Sequence, residues 1–136
     1  MSTTEVVESF YRGLAAGDGD EIGALIDRSF HSEVVLSLPP SLPYGGEIVG
    51  AHRLRRMFVG AATAPEPVGP AAVRLVSLVG DGQVVVAELA FDWYPPSGGA
   101  PVASGACEVW LFDVDGRVTA VRAYYRDTVA LVSSRP

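Results

Sequence analysis

Glu108 is the residue of this 136-residue chain whose sequence surroundings best favour chemistry. It lies in the stretch ACEVWLFDVDGRVTAVRAYYRDTVAL, where strand alternation places Trp110 and Phe112 on the same face. A carboxyl group on an aromatic face must be hydrogen-bonded, neutralised or solvated by a cavity, because burying a bare charge is costly. Desolvation raises its pKa toward the range in which it gives or takes a proton near neutral pH. The pattern predicts that Glu108 is a catalytic acid or an oxyanion partner.

Three further residues could share this chemistry. Tyr125 and Asp127 lie on one face of the next strand if that strand stays regular, so a phenol and a carboxylate could address one substrate. Asp92 adds a second carboxylate if its side of the preceding strand is the inner one, which would divide the acid and base roles. Structural alternatives remain open. Glu108 could point to the dimer side or pair with an arginine such as Arg122, Asp127 could be a cap or solvated, and Asp92 could decorate an outer surface.

Apolar and aromatic residues around these groups are predicted to form the wall of a substrate pocket. Tyr11 and Tyr44 could also donate hydrogen bonds in an otherwise apolar site, although most aromatic residues at such spacing are plain core. The predicted wall consists of Phe10, Tyr11, Leu14, Leu38, Tyr44, Phe58 and Trp110.

The sequence lacks the motifs of metal and cofactor enzymes. His31 and His52 are far apart and have no cysteine or acidic cluster beside them, so their spacing is not that of a zinc site. The chain also contains no nucleophile elbow, phosphate-cradling loop or dinucleotide fingerprint. We therefore expect no metal and no cofactor.

Composition limits the partners. A chain of 136 residues with 49% hydrophobic content is predicted to form a single domain over residues 1–136. Its net charge of −6 disfavours nucleic acid and anionic membrane surfaces. No long apolar run or signal-like start is present, so we expect a cytoplasmic protein.

Three helices and a run of strands must position these side chains. Ser2 with Glu5 and Asp18 with Glu21 are capping boxes, which predict a first helix ending at Gly17 and a second that follows it. The second helix is predicted to end near Arg28, and a strand at Glu33–Leu38 and an irregular loop SLPYGGEIVG follow it. A third helix is predicted from Ala51 to about Ala62. The remaining predicted strands are Val73–Val79, Gln83–Tyr94, Val102–Asp113 and Arg117–Asp127. The last four strands predict an antiparallel meander, with a type I′ turn at Asp115-Gly116.

The strand Gln83–Tyr94 is apolar on both faces. A sheet of this kind must be covered twice, and the three helices can cover only one side. We therefore expect a second copy of the chain to cover the outer face as a symmetric homodimer.

The chain resembles the nuclear transport factor 2-like superfamily over nearly its whole length. Within it, the closest likeness is to the SnoaL-like polyketide cyclase and ketosteroid isomerase branch, through the aromatic pair Phe10-Tyr11 before Ala16-Gly17-Asp18 and the terminal hairpin EVWLFDVDGRVTAVRAYY. The resemblance implies an α+β fold, in which three N-terminal helices pack on a curved, mainly antiparallel sheet to form a cone with an internal pocket.

The isomerase's catalytic residues map only in part. Its hydrogen-bond-donating acid falls on Glu108, its helix 1 tyrosine falls on Phe10 with Tyr11 one position away, and its base falls near Leu38, where no acid exists. What remains is more similar to the SnoaL-like group.

The leading hypothesis is a cofactor-independent cyclase or isomerase of secondary metabolism, which acts on a hydrophobic, polyketide-derived molecule by acid/base chemistry and shape control. One alternative is a non-catalytic module that binds an apolar small molecule. Another is an epoxide hydrolase or epoxide-opening cyclase, which would need an Asp-Arg-Asp grouping that the sequence does not locate.

Overall fold

The computed structural model describes residues 1–133 and packs helices on one side of a curved six-stranded sheet. The elements in chain order are α1 Thr3–Ala16, α2 Gly19–Ser29, β1 Phe30–Leu38, β2 Gly46–Val49, α3 Ala51–Thr63, β3 Gly69–Asp81, β4 Val84–Tyr94, β5 Val102–Phe112, β6 Val118–Tyr125 and α4 Thr128–Ser133. The predicted α+β class, with three N-terminal helices on a curved sheet, is confirmed.

Both predicted capping residues begin their helices. The Ser2 hydroxyl oxygen accepts a hydrogen bond from the Glu5 amide at 3.1 Å, and the Asp18 carboxylate accepts one from the Glu21 amide at 3.1 Å. Gly17 ends α1 with a φ of 65°, a left-handed conformation that glycine adopts without a Cβ clash. Within residues 1–133 none of the helices is long and apolar enough to span a membrane.

The sheet has the strand order β2-β1-β6-β5-β4-β3, and β1 pairs with β6 in parallel while all other pairs are antiparallel. The predicted four-stranded meander is therefore present as β3–β6. The expectation that SLPYGGEIVG has no regular structure was wrong for its second half, because Gly46–Val49 pairs with β1. Alternation in GEIV sets Ile48 opposite Leu36 against the core, and this favours a short strand.

The turn between β5 and β6 is not the predicted type I′ turn. That turn needs positive φ at both central residues, whereas Gly116 has a φ of 79° and Asp115 is not in the left-handed region. The Asp113 carboxylate accepts hydrogen bonds from the amides of Asp115 and Arg117 at 2.9 and 3.0 Å. This side-chain acceptor stabilises a longer turn, which ends in a register shift between Leu111 and Phe112.

Strand register decides which residues face the helices. Glu108 lies opposite Ala87 on β4 and Ala123 on β6, and all three point to the inner, helix-covered face. Glu88 lies opposite Cys107 on the outer face. The main core fills the space between the inner face and the helices, and it includes Val7, Phe10, Ile22, Leu25, Leu54, Val85 and Trp110.

Candidate active site

An aromatic cluster joins α1 to the sheet. The Phe10 ring is 2% exposed and lies 4.9–6.2 Å, centroid to centroid, from the rings of Tyr11, Phe30, Phe58 and Trp110. The structure thus brings four of the predicted wall residues together. Phe10 itself belongs to the closed core, where the sequence prediction had placed it on the wall of an open pocket.

Tyr11 connects this cluster to Glu108. The Trp110 indole Nε1 donates a hydrogen bond to the Tyr11 hydroxyl oxygen at 2.9 Å, and the Tyr11 hydroxyl donates to the Glu108 carboxylate. Tyr11 comes from α1, whereas Glu108 and Trp110 are neighbours on the inner face of β5. The three groups form a chain of hydrogen bonds, in which the bond from Trp110 polarises the Tyr11 hydroxyl and thereby strengthens its bond to Glu108.

Burial raises the pKa of Glu108 above its ordinary value, and the hydrogen bond from Tyr11 lowers it in part. The pKa of Tyr11 is raised well above 10, first by burial and then by the neighbouring Glu108 charge. Tyr11 therefore stays a neutral donor at ordinary pH. Glu108 is the group of this pair that can exchange a proton with a substrate.

A second chain of hydrogen bonds lies beside the first. The Trp93 indole Nε1 donates to the Tyr44 hydroxyl oxygen at 3.2 Å, and the Tyr44 and Tyr125 hydroxyl groups are 3.1 Å apart. Burial raises the pKa of both phenols, so both stay protonated. When Tyr44 donates to Tyr125, the hydrogen of Tyr125 is left free for a substrate oxygen.

Glu108 and Tyr125 are close neighbours on the inner face. Tyr125 lies opposite Ala106, and Glu108 lies opposite Ala123, so the two residues are diagonal partners across β5 and β6. Diagonal side chains on one face are roughly 7–8 Å apart, within reach of one small molecule. The charge of Glu108 also contributes to the raised pKa of Tyr44 and Tyr125.

The structure does not bring the two predicted aspartates to this site. Asp127 is exposed, and its carboxylate accepts a hydrogen bond from the Ala130 amide at 3.0 Å at the start of α4. The strand ends at Tyr125, so the alternation that would have put Asp127 beside Tyr125 does not continue. Asp92 lies opposite Ala71 and Ala103 on the outer face of the sheet. Neither carboxylate can share a substrate with Glu108.

A groove of about 330 Å³ opens between α1 and β3 and reaches Tyr11. Ala15, Val73 and Leu75 form its apolar lining, and the charged residues Glu8, Arg12 and Arg74 also line it. Its volume is at the lower end for a small-molecule site. Leu14 and Leu38, two other predicted wall residues, are half-buried and pack against the core beside the aromatic cluster.

Two parts of the site were missed by the sequence prediction. Tyr11 had been predicted as a wall residue and a possible hydrogen-bond donor, but its role as the α1 residue that bonds to Glu108 was not predicted. Trp93 had been treated only as an apolar residue, although its indole N–H holds Tyr44. A buried tryptophan normally finds an acceptor for its N–H, and that rule could have indicated both Trp–Tyr pairs.

Metal ligands do not gather in the described part of the chain. Residues 1–133 contain no group of three or more His, Cys, Asp or Glu side chains placed to hold a metal ion. The chemistry that these residues can do is proton transfer at Glu108 and hydrogen bonding by the phenols.

Comparison with known proteins identifies relatives at the level of family and fold. The family model described as SnoaL-like domain matches residues 7–121. No curated protein matches the sequence. Bal32a, from a soil-derived mobile gene cassette, has a similar solved structure, with 17% sequence identity and a TM-score of 0.77. The match covers 96% of this chain and 94% of the Bal32a chain.

Two other similar structures have ligands or reactions in their descriptions. TerC, co-crystallised with polyporic acid, is 21% identical with a TM-score of 0.73 and covers 97% of this chain and 98% of its own. SalBIII is described as an epoxide hydrolase/cyclase-like enzyme with a role in pyran ring formation in the polyether salinomycin. It is 19% identical with a TM-score of 0.66, and the match covers 93% of this chain and 92% of SalBIII. At these identities the likeness shows a shared fold.

Proposed function

We propose that this chain, which belongs to the SnoaL-like family, is a cofactor-independent cyclase or isomerase that acts on a hydrophobic, polyketide-derived small molecule in secondary metabolism. One observation carries the proposal: Glu108 is half-buried, and its carboxyl group lies on the inner face of the sheet, where it is hydrogen-bonded to Tyr11. Ring formation by SalBIII, a protein of the same fold, supports the reaction class.

Glu108 acts as the base in this proposal. Its carboxylate removes a hydrogen from the carbon next to a substrate carbonyl group, which leaves an enolate and a protonated Glu108. In an isomerisation, Glu108 returns the proton to a different carbon. In a cyclisation, the enolate carbon forms a bond with a second carbonyl carbon, and the alkoxide formed there takes the proton back from Glu108. Both sequences are redox neutral.

The phenols stabilise the charge that develops. Tyr125 lies diagonally across from Glu108, and its hydroxyl hydrogen is free when Tyr44 donates to it. It can therefore donate to the enolate oxygen while Glu108 holds the proton. Tyr11 keeps its hydrogen bond to Glu108 and thereby orients the carboxylate.

The arginines disfavour the alternative of epoxide opening through an Asp-Arg-Asp grouping. Every arginine within residues 1–133 is exposed, and Glu108 has no arginine among the residues that shift its pKa. An arginine between two aspartates inside the fold is therefore not available in the described part of the chain.

A hydrogen-exchange assay tests the proposed function. 2-Tetralone, a hydrophobic ketone with acidic α-hydrogens, is incubated with the protein in deuterium oxide, and deuterium uptake is followed by mass spectrometry. We expect exchange above the buffer rate that increases with pH, because Glu108 must be ionised to act as a base. The midpoint should lie above that of an ordinary carboxyl group, since burial raises the pKa of Glu108. Exchange at the buffer rate at every pH would contradict the proposal and leave a binding module.

We further propose that the partner on the outer face of the sheet is a second copy of the chain. Val76, Val79 and Tyr124 are between 59% and 65% exposed there. Val84, Val86, Val109 and Leu111 continue this apolar face. Glu88 on β4 and Arg122 on β6 flank β5 from opposite sides, so a two-fold axis along β5 would set each Glu88 near the Arg122 of the other copy.

Leu111→Asp is expected to convert this dimer to a monomer in sedimentation velocity experiments, because it places a charge inside the apolar patch. Val114→Asp, in the exposed β5–β6 turn, is the matched control and should stay dimeric. Glu88→Arg alone should weaken the dimer, and the added change Arg122→Glu should restore it. A wild-type protein that sediments as a monomer at micromolar concentration would overturn this proposal.

A further inference from the structure

We propose that the apolar cluster beneath α4 is a second binding subsite, which takes a ring of the substrate that carries an oxygen substituent and which opens when Leu131 moves out. The inference rests on the proposed function, since it places the part of the substrate remote from Glu108.

The cluster is separate from the main core and lies next to the candidate active site. Phe91, Trp93 and Ala106 form its floor on the inner face of β4 and β5, and Leu42 and Leu131 close it from the other side. Tyr44 and Tyr125, the two phenols of the site, pack against it half-buried. A ligand in this cluster would therefore lie against the same phenols that face Glu108.

Ser104 gives an independent indication of a ligand. Its residue is 6% exposed, and its hydroxyl oxygen has no hydrogen-bond partner among the residues that the structure describes. It lies opposite Phe91 and two residues before Ala106, so its register places it on the inner face at this cluster. A buried hydroxyl group without a partner is destabilising and rare in native proteins. A ligand oxygen at this position would satisfy it.

Leu131 is the side chain that closes the cluster. It is fully buried, whereas Val129 on the same helix is 75% exposed, so α4 contributes one apolar face and leaves the other in solvent. The helix has six residues and begins two residues after β6, and the Arg126 amide between them donates to the Gly105 carbonyl group at 2.9 Å. So short a helix gains little stability from its own hydrogen bonds, and the burial of Leu131 contributes to holding it on the cluster.

The chemistry of the cluster defines the ligand class. Its walls are aromatic and aliphatic, and Ser104 supplies one hydroxyl group that can donate or accept. An aromatic or alicyclic ring with a hydroxyl or carbonyl substituent fits these groups. The cluster residues that the structure describes are apolar or carry neutral phenol and hydroxyl groups, so they favour an uncharged substituent.

Equilibrium dialysis with 2-naphthol and 2-methylnaphthalene tests the role of Ser104. The wild-type protein should bind 2-naphthol more tightly, and Ser104→Ala should reduce that preference by about three- to tenfold, the effect of one hydrogen bond. Ser77→Ala, whose hydroxyl bonds to Glu88 on the outer face, is the matched control and should leave the preference unchanged. An unchanged preference in Ser104→Ala would overturn the proposal.

The stability of Ser104→Ala separates a ligand-binding role from a structural one. Without ligand, this variant should unfold at the same denaturant concentration as wild type or at a higher one, because the hydroxyl it removes has no hydrogen-bond partner within residues 1–133. A clear loss of stability would show that Ser104 serves the fold and would contradict the inference.

Displacement of Leu131 is tested with Leu131→Ala and the milder Leu131→Val, which keeps most of the packing. Each should bind 2-naphthol more tightly than wild type, with the larger increase for alanine, because less side chain must leave the cluster. Val129→Ala, on the exposed side of α4, should bind as wild type does. Unchanged affinity in both Leu131 variants would show that the cluster does not open in this way.

The two proposals fail in different ways. Ser104-dependent binding of 2-naphthol without any exchange of 2-tetralone would contradict the proposed function and support the subsite. If Glu108→Gln slowed the exchange of 2-tetralone while Ser104→Ala left the preference for 2-naphthol unchanged, the result would contradict the subsite and support the proposed function.

Discussion

Replacing Glu108 with Gln is expected to slow the protein-dependent exchange of 2-tetralone by about 10²–10⁴-fold, the usual contribution of a positioned acid or base. Glutamine has nearly the same shape, and its amide oxygen can still accept the hydrogen bond from Tyr11. The packing of the site is therefore kept while the ability to take a proton is lost. The measurement is the rate of deuterium uptake at a pH where Glu108 is ionised in the wild-type protein.

Glu88→Gln is the matched control for this experiment. Glu88 lies on β4 directly opposite Cys107, the residue before Glu108, and its side chain is on the outer face of the sheet. Its loss removes the same charge from the same sheet but not from the site, so the exchange rate should stay close to that of wild type. Equal rates for Glu108→Gln and wild type would show that Glu108 is not the base.

The second large effect concerns the fold. Phe10→Ala is expected to lower the free energy of unfolding by about 3–5 kcal/mol, because it removes a buried ring and leaves a cavity among four aromatic neighbours. Stabilities of single domains are only about 5–15 kcal/mol, so this change removes a large part of the total. Urea unfolding at equilibrium measures it.

Val114→Ala is the control for this stability measurement. Val114 is 87% exposed in the turn between β5 and β6, and substitutions at such positions change stability by about 0.5 kcal/mol or less. If Phe10→Ala unfolded at the same urea concentration as Val114→Ala, Phe10 would not be a core residue, and the arrangement of α1 against β5 would have to be different.

Local patterns were sufficient to predict the helices and most of the strands. The capping residues Ser2 and Asp18 begin α1 and α2, because their side chains accept hydrogen bonds from amides three residues later. The alternation in β5 placed Glu108 and Trp110 on one face, and the structure has them on the inner face. β2 and α4 were missed, since four and six residues are too few to show a clear period.

The site depended on contacts that no local pattern contains. Tyr11 and Glu108 are 97 residues apart, and only the rotation of α1 against the sheet decides that Tyr11 rather than Phe10 meets the carboxylate. Asp127 and Asp92 lie outside the candidate site for reasons that are also non-local. The chain turns into α4 after Tyr125, and the helices cover the side of the sheet that Asp92 does not face.

The sequence by itself determined the family, the order of helices and meander strands, and the presence of a carboxyl group on an aromatic strand face, because these follow from neighbouring residues and their period. Only the tertiary structure decided which phenol bonds to Glu108, which carboxylates face outward, and that Leu131 packs into the same cluster as Phe91 and Trp93. These outcomes depend on packing between distant segments, where a small rotation of a helix exchanges one side chain for the next.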